Sequence, residues 1–206
     1  MSRTAFWRGL PLAAVLCAAL AACSGIGPPA QEADIYLLDA RPAVGKAPSR
    51  SAAVLTVGMP RAWPGFETSR MAYVRQPHEL QYFAKSRWAD APARMLSPLL
   101  VQALEQGGAF AAVVHNPGPV AGTLRLDTEL VRMQQEFAAE SSRVRLTLRA
   151  QLVDVRERRV IATGEFEEVE AADAGNAYAG VSALNRALGR MLPRLAEFCA
   201  GAIAGR

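Results

Sequence analysis

Among the residues able to do chemistry, Cys23 stands in a context that specifies its reaction. It follows Leu20-Ala21-Ala22 at the end of an apolar run, Leu10 to Ala22, which itself follows Arg3 and Arg8. A positive start, a short apolar stretch and a pair of small residues make a secretory leader cut after Ala22. The run is too short to span a bilayer, which takes roughly 20 apolar residues. A leader peptidase explains the alanines but not the cysteine at the cut. A lipobox explains both: the thiol becomes a thioether to diacylglycerol, and the freed amine can take a further acyl chain such as palmitate. An ordinary leader with a chance cysteine, or a signal anchor, leaves that order of features unaccounted for. Several acyl chains anchor stably, whereas one binds only marginally.

The other reactive side chains lack partners at useful spacing. His78 and His115 both flank prolines in expected turns, with no cysteine, histidine or carboxylate at metal-ligand spacing, so no metal is called for. There is no G-x-S-x-G elbow and no phosphate-cradling glycine loop, and Ser141-Ser142 has no adjacent base. Glu165, Glu167, Glu168 and Glu170 could gather calcium, but no glycine-punctuated loop arranges their oxygens, and a solvated strand end is the simpler reading. Nothing in the chain asks for catalysis or a cofactor. Trp63-Pro64-Gly65-Phe66 is a turn with two large aromatics, for which two readings stand. Trp63 and Phe66 either form an exposed partner-docking tip, where aromatics are favoured, or fold back over a sheet edge as a minor core.

Composition bounds the rest. The chain has 23 basic and 19 acidic residues, and the leader removes two basic residues and no acids. The mature charge is therefore about +2, which gives no argument for nucleic acid. Of the three cysteines, Cys17 leaves with the leader and Cys23 is consumed by lipid. Cys199 remains alone, without an internal disulfide partner, and reads as a small apolar contact. The expected organisation is a signal peptide over 1–22, a lipidated Gly/Pro-rich tether over 23–33 and one domain over 34–206, long enough to bury a core.

Within that domain, short strands are expected at Ile35 to Leu38, Ala53 to Val57, Arg70 to Val74 and Glu79 to Ala84, with a mobile loop over Arg41 to Ser51. A helix follows, with Asp90 as its cap and Pro92 at its first turn. Leu96, Leu99, Leu100, Ala103 and Leu104 form its stripe, Pro98 interrupts its bonding, and Gly107-Gly108 ends it in a left-handed cap. Phe110 to Val114 reads as a further strand. Leu124 to Leu130 and Val144 to Leu152 alternate apolar and polar residues, the period of half-buried antiparallel strands. A parity change near Val131 and Met133 signals a bulge. Asp127 and Glu129 are expected to neutralise Arg143, Arg145 and Arg149 across the hairpin. Val160 to Phe166 adds a third strand. A terminal helix from about Ala174 buries Tyr178, Val181, Leu184, Leu188, Met191, Leu195 and Phe198, with Arg186, Arg190 and Arg194 on other faces. The fold class is α+β: a two-layer domain with a mostly antiparallel sheet packed against two amphipathic helices.

One stretch carries a family likeness. Gly65-Phe66-Glu67-Thr68-Ser69-Arg70-Met71-Ala72-Tyr73 leads to Glu79-Leu80-Gln81-Tyr82-Phe83-Ala84, then to Arg87-Trp88-Ala89-Asp90-Ala91-Pro92 and the helix behind it. With Phe110-Ala111-Ala112-Val113-Val114, Ile35-Tyr36-Leu37-Leu38 and the lipobox, this resembles the ABC-type transport auxiliary lipoprotein family. The resemblance implies a non-catalytic, membrane-anchored docking component of an MCE-type ABC transport system that moves phospholipid or other hydrophobic molecules across the cell envelope. Its implied partners are a periplasmic MCE-domain protein and the ABC permease and ATPase, with homo-oligomers open. Ser24 after the cysteine resembles an address at the periplasmic face of the outer membrane. Two alternatives stand beside it: a structural lipoprotein assisting outer-membrane assembly, and a periplasmic lipid carrier. The carrier would need a cavity lined by the leucines of both helices.

Overall fold

Period-two alternation gives three long strands, and the other strands are arranged around them. In a computed structural model describing residues 32–116, 118, 122–139 and 141–204, β7 (Leu124–Phe137), β8 (Ser142–Asp154) and β9 (Arg159–Ala172) form an antiparallel meander. The opposite edge of β7 carries three short strands end to end, all parallel to it. They are β2 (Val54–Val57) beside Leu124 to Leu126, β3 (Arg61–Ala62) beside Glu129 and Leu130, and β4 (Arg70–Val74) beside Gln135 and Glu136. Antiparallel β5 (Leu80–Trp88) extends the sheet beyond β4, and β1 (Asp34–Tyr36) runs parallel to β5. At the other end β6 (Ala112–His115) runs parallel to β2. Most of the paired length is antiparallel, and the short strands make the sheet mixed. The expected bulge falls between Leu130 and Arg132.

Helices α1 (Pro92–Gly107) and α2 (Ala177–Ala204) lie against the sheet and against each other, and no helix among the described residues is long and apolar enough to cross a membrane. Leu96, Leu100 and Leu104 of α1 and Leu188, Met191 and Leu192 of α2 are almost wholly buried. They share one cluster with Leu55, Leu126, Leu130, Leu146, Leu148 and Leu152 of the sheet. The leucines of both helices are thus core packing. Pro92 begins α1 and Gly108 caps it at φ 68°, a backbone state natural to glycine. Gly122 is needed where strands converge: a Cβ there would sit 2.6 Å from the Val54 carbonyl oxygen.

Several expectations are corrected. Ala91, not Asp90, is the N-cap of α1, and Asp90 instead accepts a bond from the Ala91 N–H at 2.7 Å and grips Arg94. The segment expected to be a mobile loop over 41–51 is pinned to the end of α1 and the residues after it. Ala47 N–H donates to Gly107 O at 2.8 Å, Ser51 N–H to Ala109 O at 2.8 Å, and just upstream Asp39 N–H donates to Asn185 Oδ1 at 2.9 Å. Tyr178, expected in the buried stripe, is 68% exposed: its neighbours Ala177, Ala179, Gly180 and Val181 are buried, so the first turn packs on the core and Tyr178 points away from it. Ser142 opens β8 as a buried residue rather than standing in a turn, and it donates to Ala174 O at 3.0 Å. His115 ends β6 rather than occupying a turn.

Because Leu188 is buried between α2 and the sheet, Leu188→Ala is expected to lower unfolding stability by about 2–5 kcal/mol. Trp63→Ala, at an exposed position, should cost under about 1 kcal/mol. Urea titration followed by circular dichroism checks both.

Candidate functional site

The sheet has one face covered by helices and one face open, and the strand parity sorts the candidate residues between them. Arg61 pairs with Glu129 at 2.6 Å, on the side away from Leu130, while Ala62 packs against the core. Trp63, two residues after Arg61, leaves on the same open side, 49% exposed. Its backbone N–H donates to Leu130 O at 2.9 Å, which locks the turn to β7 just before the bulge. The turn closes with Phe66 N–H donating to Trp63 O at 3.0 Å. Gly65 sits at φ 94°, and its carbonyl accepts the Tyr82 hydroxyl at 3.1 Å. The Arg70 guanidinium lies 3.7 Å above the Tyr82 ring, a cation–π contact that stiffens the same corner.

The two aromatics of this turn part company. Phe66 is 8% exposed and belongs to the core, whereas Trp63 is exposed, as Met59 and Leu80 are. One residue is a strut and the other is available at the surface. Cys23, the lipid-attachment candidate, lies outside the described residues.

Charge is arranged differently on the two faces. On the open face Glu136 accepts from Arg145 at 2.7 Å and Arg143 at 2.9 Å, and Arg145 also reaches Glu167 at 2.6 Å. Arg143 and Arg145 are therefore held by Glu136 and Glu167, not by Asp127 and Glu129 as the alternation suggested. β7 runs on to Phe137, so residues 134–136 stand opposite the start of β8, while Asp127 turns to Arg125 and Glu129 to Arg61. Partial burial pushes the Glu136 carboxyl up, but hydrogen bonds from Arg145, Arg143 and Gln134 outweigh it and hold the group below its ordinary range.

On the helix side, the glutamates expected to be a solvated strand end form a clamp. Glu168, its side chain 12% exposed, binds Arg190 at 3.0 Å and Arg194 at 2.6 Å. Glu170 binds Arg186 at 2.8 Å and Arg190 at 2.7 Å. Spacing of four along α2 presents the three arginines in one row, and spacing of two along β9 presents the two glutamates to them. The hydrogen bond from Arg186 is the main reason the Glu170 carboxyl lies below its ordinary value. Periodicity could have proposed this pairing, since both rows are visible in the sequence.

Among the described residues, the other reactive groups that come near one another are few. Ser97 Oγ approaches His115 Nε2 at 3.4 Å, but Ser97 is buried within α1. Cys199 is buried, and burial pushes its thiol up to about 12, far from a reactive thiolate at neutral pH.

The fold and its surface thus define a two-layer α+β domain with a closed helical face and an open, charged sheet face. The chain belongs to the ABC-type transport auxiliary lipoprotein component family, whose model matches residues 36–196. The crystal structure of protein XCC0632 from Xanthomonas campestris is similar at TM-score 0.77 and 23% identity, over 84% of this chain and 98% of that one. A second solved structure, an uncharacterized protein, superposes at TM-score 0.63 with 13% identity, covering 82% and 99% of the two chains. The hypothetical protein CT253 from Chlamydia trachomatis reaches TM-score 0.53 at 7% identity, covering 76% and 100%. No curated protein matches the chain.

The clamp makes stability acid-sensitive. A carboxylate whose folded pKa is depressed stabilises the fold above its unfolded value, here an ordinary 4.5, and that stabilisation fades as pH falls through the folded pKa. Glu170→Gln is therefore expected to lose about 1 kcal/mol at pH 7. The gap to the wild type should shrink as pH drops below the ordinary carboxylate range, in denaturation curves recorded at pH 7 and pH 3.

Proposed function

We propose that the protein is a lipid-anchored docking subunit of an MCE-type ABC transport system that moves hydrophobic molecules across the cell envelope. In this reading Cys23 carries the lipid, residues 24–33 form the tether, and the domain stands at the periplasmic face of the outer membrane. The family match over residues 36–196 carries the reading, since it assigns the chain an auxiliary role beside an ABC transporter. The absence of a phosphate-cradling loop from the sequence agrees with ATP hydrolysis by another subunit.

The physical contribution of such a subunit is local concentration. A lipid anchor confines the domain to one membrane surface, so that capture of a periplasmic partner becomes a short-range event. The contact surface best suited to that partner is the open face around Trp63. A tryptophan, an exposed methionine and leucine and flanking arginines match the residue types that dominate protein interfaces. Phe66 serves by holding the turn from beneath. The core leucines of both helices are fully packed with those of the sheet, which argues against the carrier alternative in its leucine-lined form.

In-cell crosslinking and affinity recovery of the full-length protein, with Cys23→Ala beside it, tests this. Recovery of an MCE-domain protein with its ABC subunits, reduced severalfold without the anchor, is the expected result. If an outer-membrane assembly machine is recovered instead, the assembly-factor alternative takes its place.

A further inference from the structure

The buried stripe of α2 changes character near its end. Leu184, Leu188, Met191, Leu192 and Leu195 fill the space beside α1 and the sheet. Beyond them, Ala196, Ala200 and Ala204 recur every four residues, so one ridge of the last two turns carries only methyl groups. Opposite this ridge α1 has already stopped at Gly107, and the chain over residues 45–49 crosses as a second wall, tied down through Ala47 N–H and Gly107 O. A cleft of about 290 Å³ is left between them, floored by Leu104 and Phe110. It is an opening at the end of the core, distinct from the Trp63 surface on the other side of the sheet.

We propose that this cleft binds one unbranched acyl chain whose single anionic end group is held at Lys46. Its depth is lined by aliphatic and aromatic carbon. The buried side-chain atoms left without a hydrogen-bond partner among the described residues, Thr123 Oγ1 and Thr128 Oγ1, lie elsewhere, at the start and within β7. Nothing in the depth of the cleft thus asks a ligand for polar groups. A water's share of liquid volume is about 30 Å³, so the space takes about ten groups of that size, which suits a stretch of methylenes. The ridge of alanines offers a smooth trough without side chains that a linear chain would have to displace.

Charge at the mouth fixes the polar end. Lys46 is exposed at one lip and Glu197 at the other, both lining the opening. Arg50 beside them is already committed, donating to Phe110 O at 3.1 Å and Ala111 O at 2.7 Å. Lys46 is thus the cation that an anionic end group meets, and Glu197 opposes a second negative charge. A fatty-acid carboxylate and a lysophospholipid phosphate share this chemistry. The inference goes beyond the docking reading and rests on it only for the supply of acyl-bearing molecules near the protein.

Residues 33–206 include every described strand and helix and the whole buried core, so this unit is the material for the test. It is titrated with cis-parinaric acid, and the probe is displaced by palmitate, lysophosphatidylethanolamine or monopalmitoylglycerol. The expected result is saturation at one probe per chain. Ala200→Trp, which fills the trough, should weaken binding at least tenfold, and Ala204→Trp at the exposed rim should do the same with no demand on the core. Lys46→Glu should weaken palmitate and lysophosphatidylethanolamine severalfold and leave monopalmitoylglycerol unchanged, while Trp63→Ala changes nothing. Which of the two anionic ligands displaces better identifies the source. No saturable binding, or rim and trough variants that bind as well as the wild type, would overturn the proposal. So would equal losses for all three ligands in Lys46→Glu, or a dimer mass that Ala200→Trp converts to monomer, which would put a second copy in the cleft. Recovery of ABC subunits by crosslinking is independent of these results, so either reading can fail alone.

Discussion

Both edges of β7 are committed, and the rest of the fold hangs from that fact. One edge pairs with β8 along its length, and the other holds β2, β3 and β4 in tandem. Strands of two to five residues are too short to persist unless a longer strand templates them. The long strand is itself stable because its alternate leucines meet those of both helices in one buried layer. The bulge after Leu130 is the single break in its period. It sends residues 132–136 to new partners and lies where Trp63 N–H meets Leu130 O. Local irregularity in one strand thereby sets where the most exposed aromatic of the open face stands.

The helical face is closed twice, by leucines at its centre and by the Arg–Glu clamp along β9. β9 is an edge strand, and its glutamates do two things there. Glu168 and Glu170 bind the helix arginines, while Glu165 and Glu167 point to the open face and place like charges along an edge that would otherwise invite another strand. What the fold leaves available is the open face and the cleft where the two helices end. The docking reading uses the first and the acyl-chain inference the second, so the two activities need not compete for surface.

Much of this was legible in the residues. The alternation of Leu124 to Leu130 and Val144 to Leu152 requires half-buried strands, and the parity change at Val131 places the bulge correctly. The 3.6-residue stripe, Pro92 and Gly108 locate α1 to within a residue or two. Parallel pairing of β2, β3 and β4 was not legible, because the partners lie 60 or more residues apart and a short apolar run carries no mark of direction. The Arg143 and Arg145 partners were missed because β7 runs on past Leu130 to Phe137, which puts Glu136 opposite Arg143 and leaves Glu129 opposite Arg149. Tyr178 was misplaced because it stands at the margin of the stripe, where an apolar residue type does not say which side of the helix it joins; Ala177 and Val181 beside it are buried. The turn at Trp63 to Phe66 allowed both of its readings, and the structure buries Phe66 while leaving Trp63 exposed. The cleft has a faint signature, the switch from leucine to alanine along α2, which reads as ordinary helix until α1 is known to stop at Gly107. The proposed lipid attachment at Cys23 rests on its immediate neighbours and not on the fold.

The central claim is that the open sheet face around Trp63 meets the transporter while the helical face does not. The most direct measurement replaces Trp63, and separately the exposed Tyr178 on the helical side, with a photocrosslinking amino acid in the full-length lipidated protein, followed by irradiation in cells. The account predicts adducts to a component of the ABC system from position 63 and none from position 178. Adducts from 178 alone would contradict it and turn the docking surface to the other side of the domain.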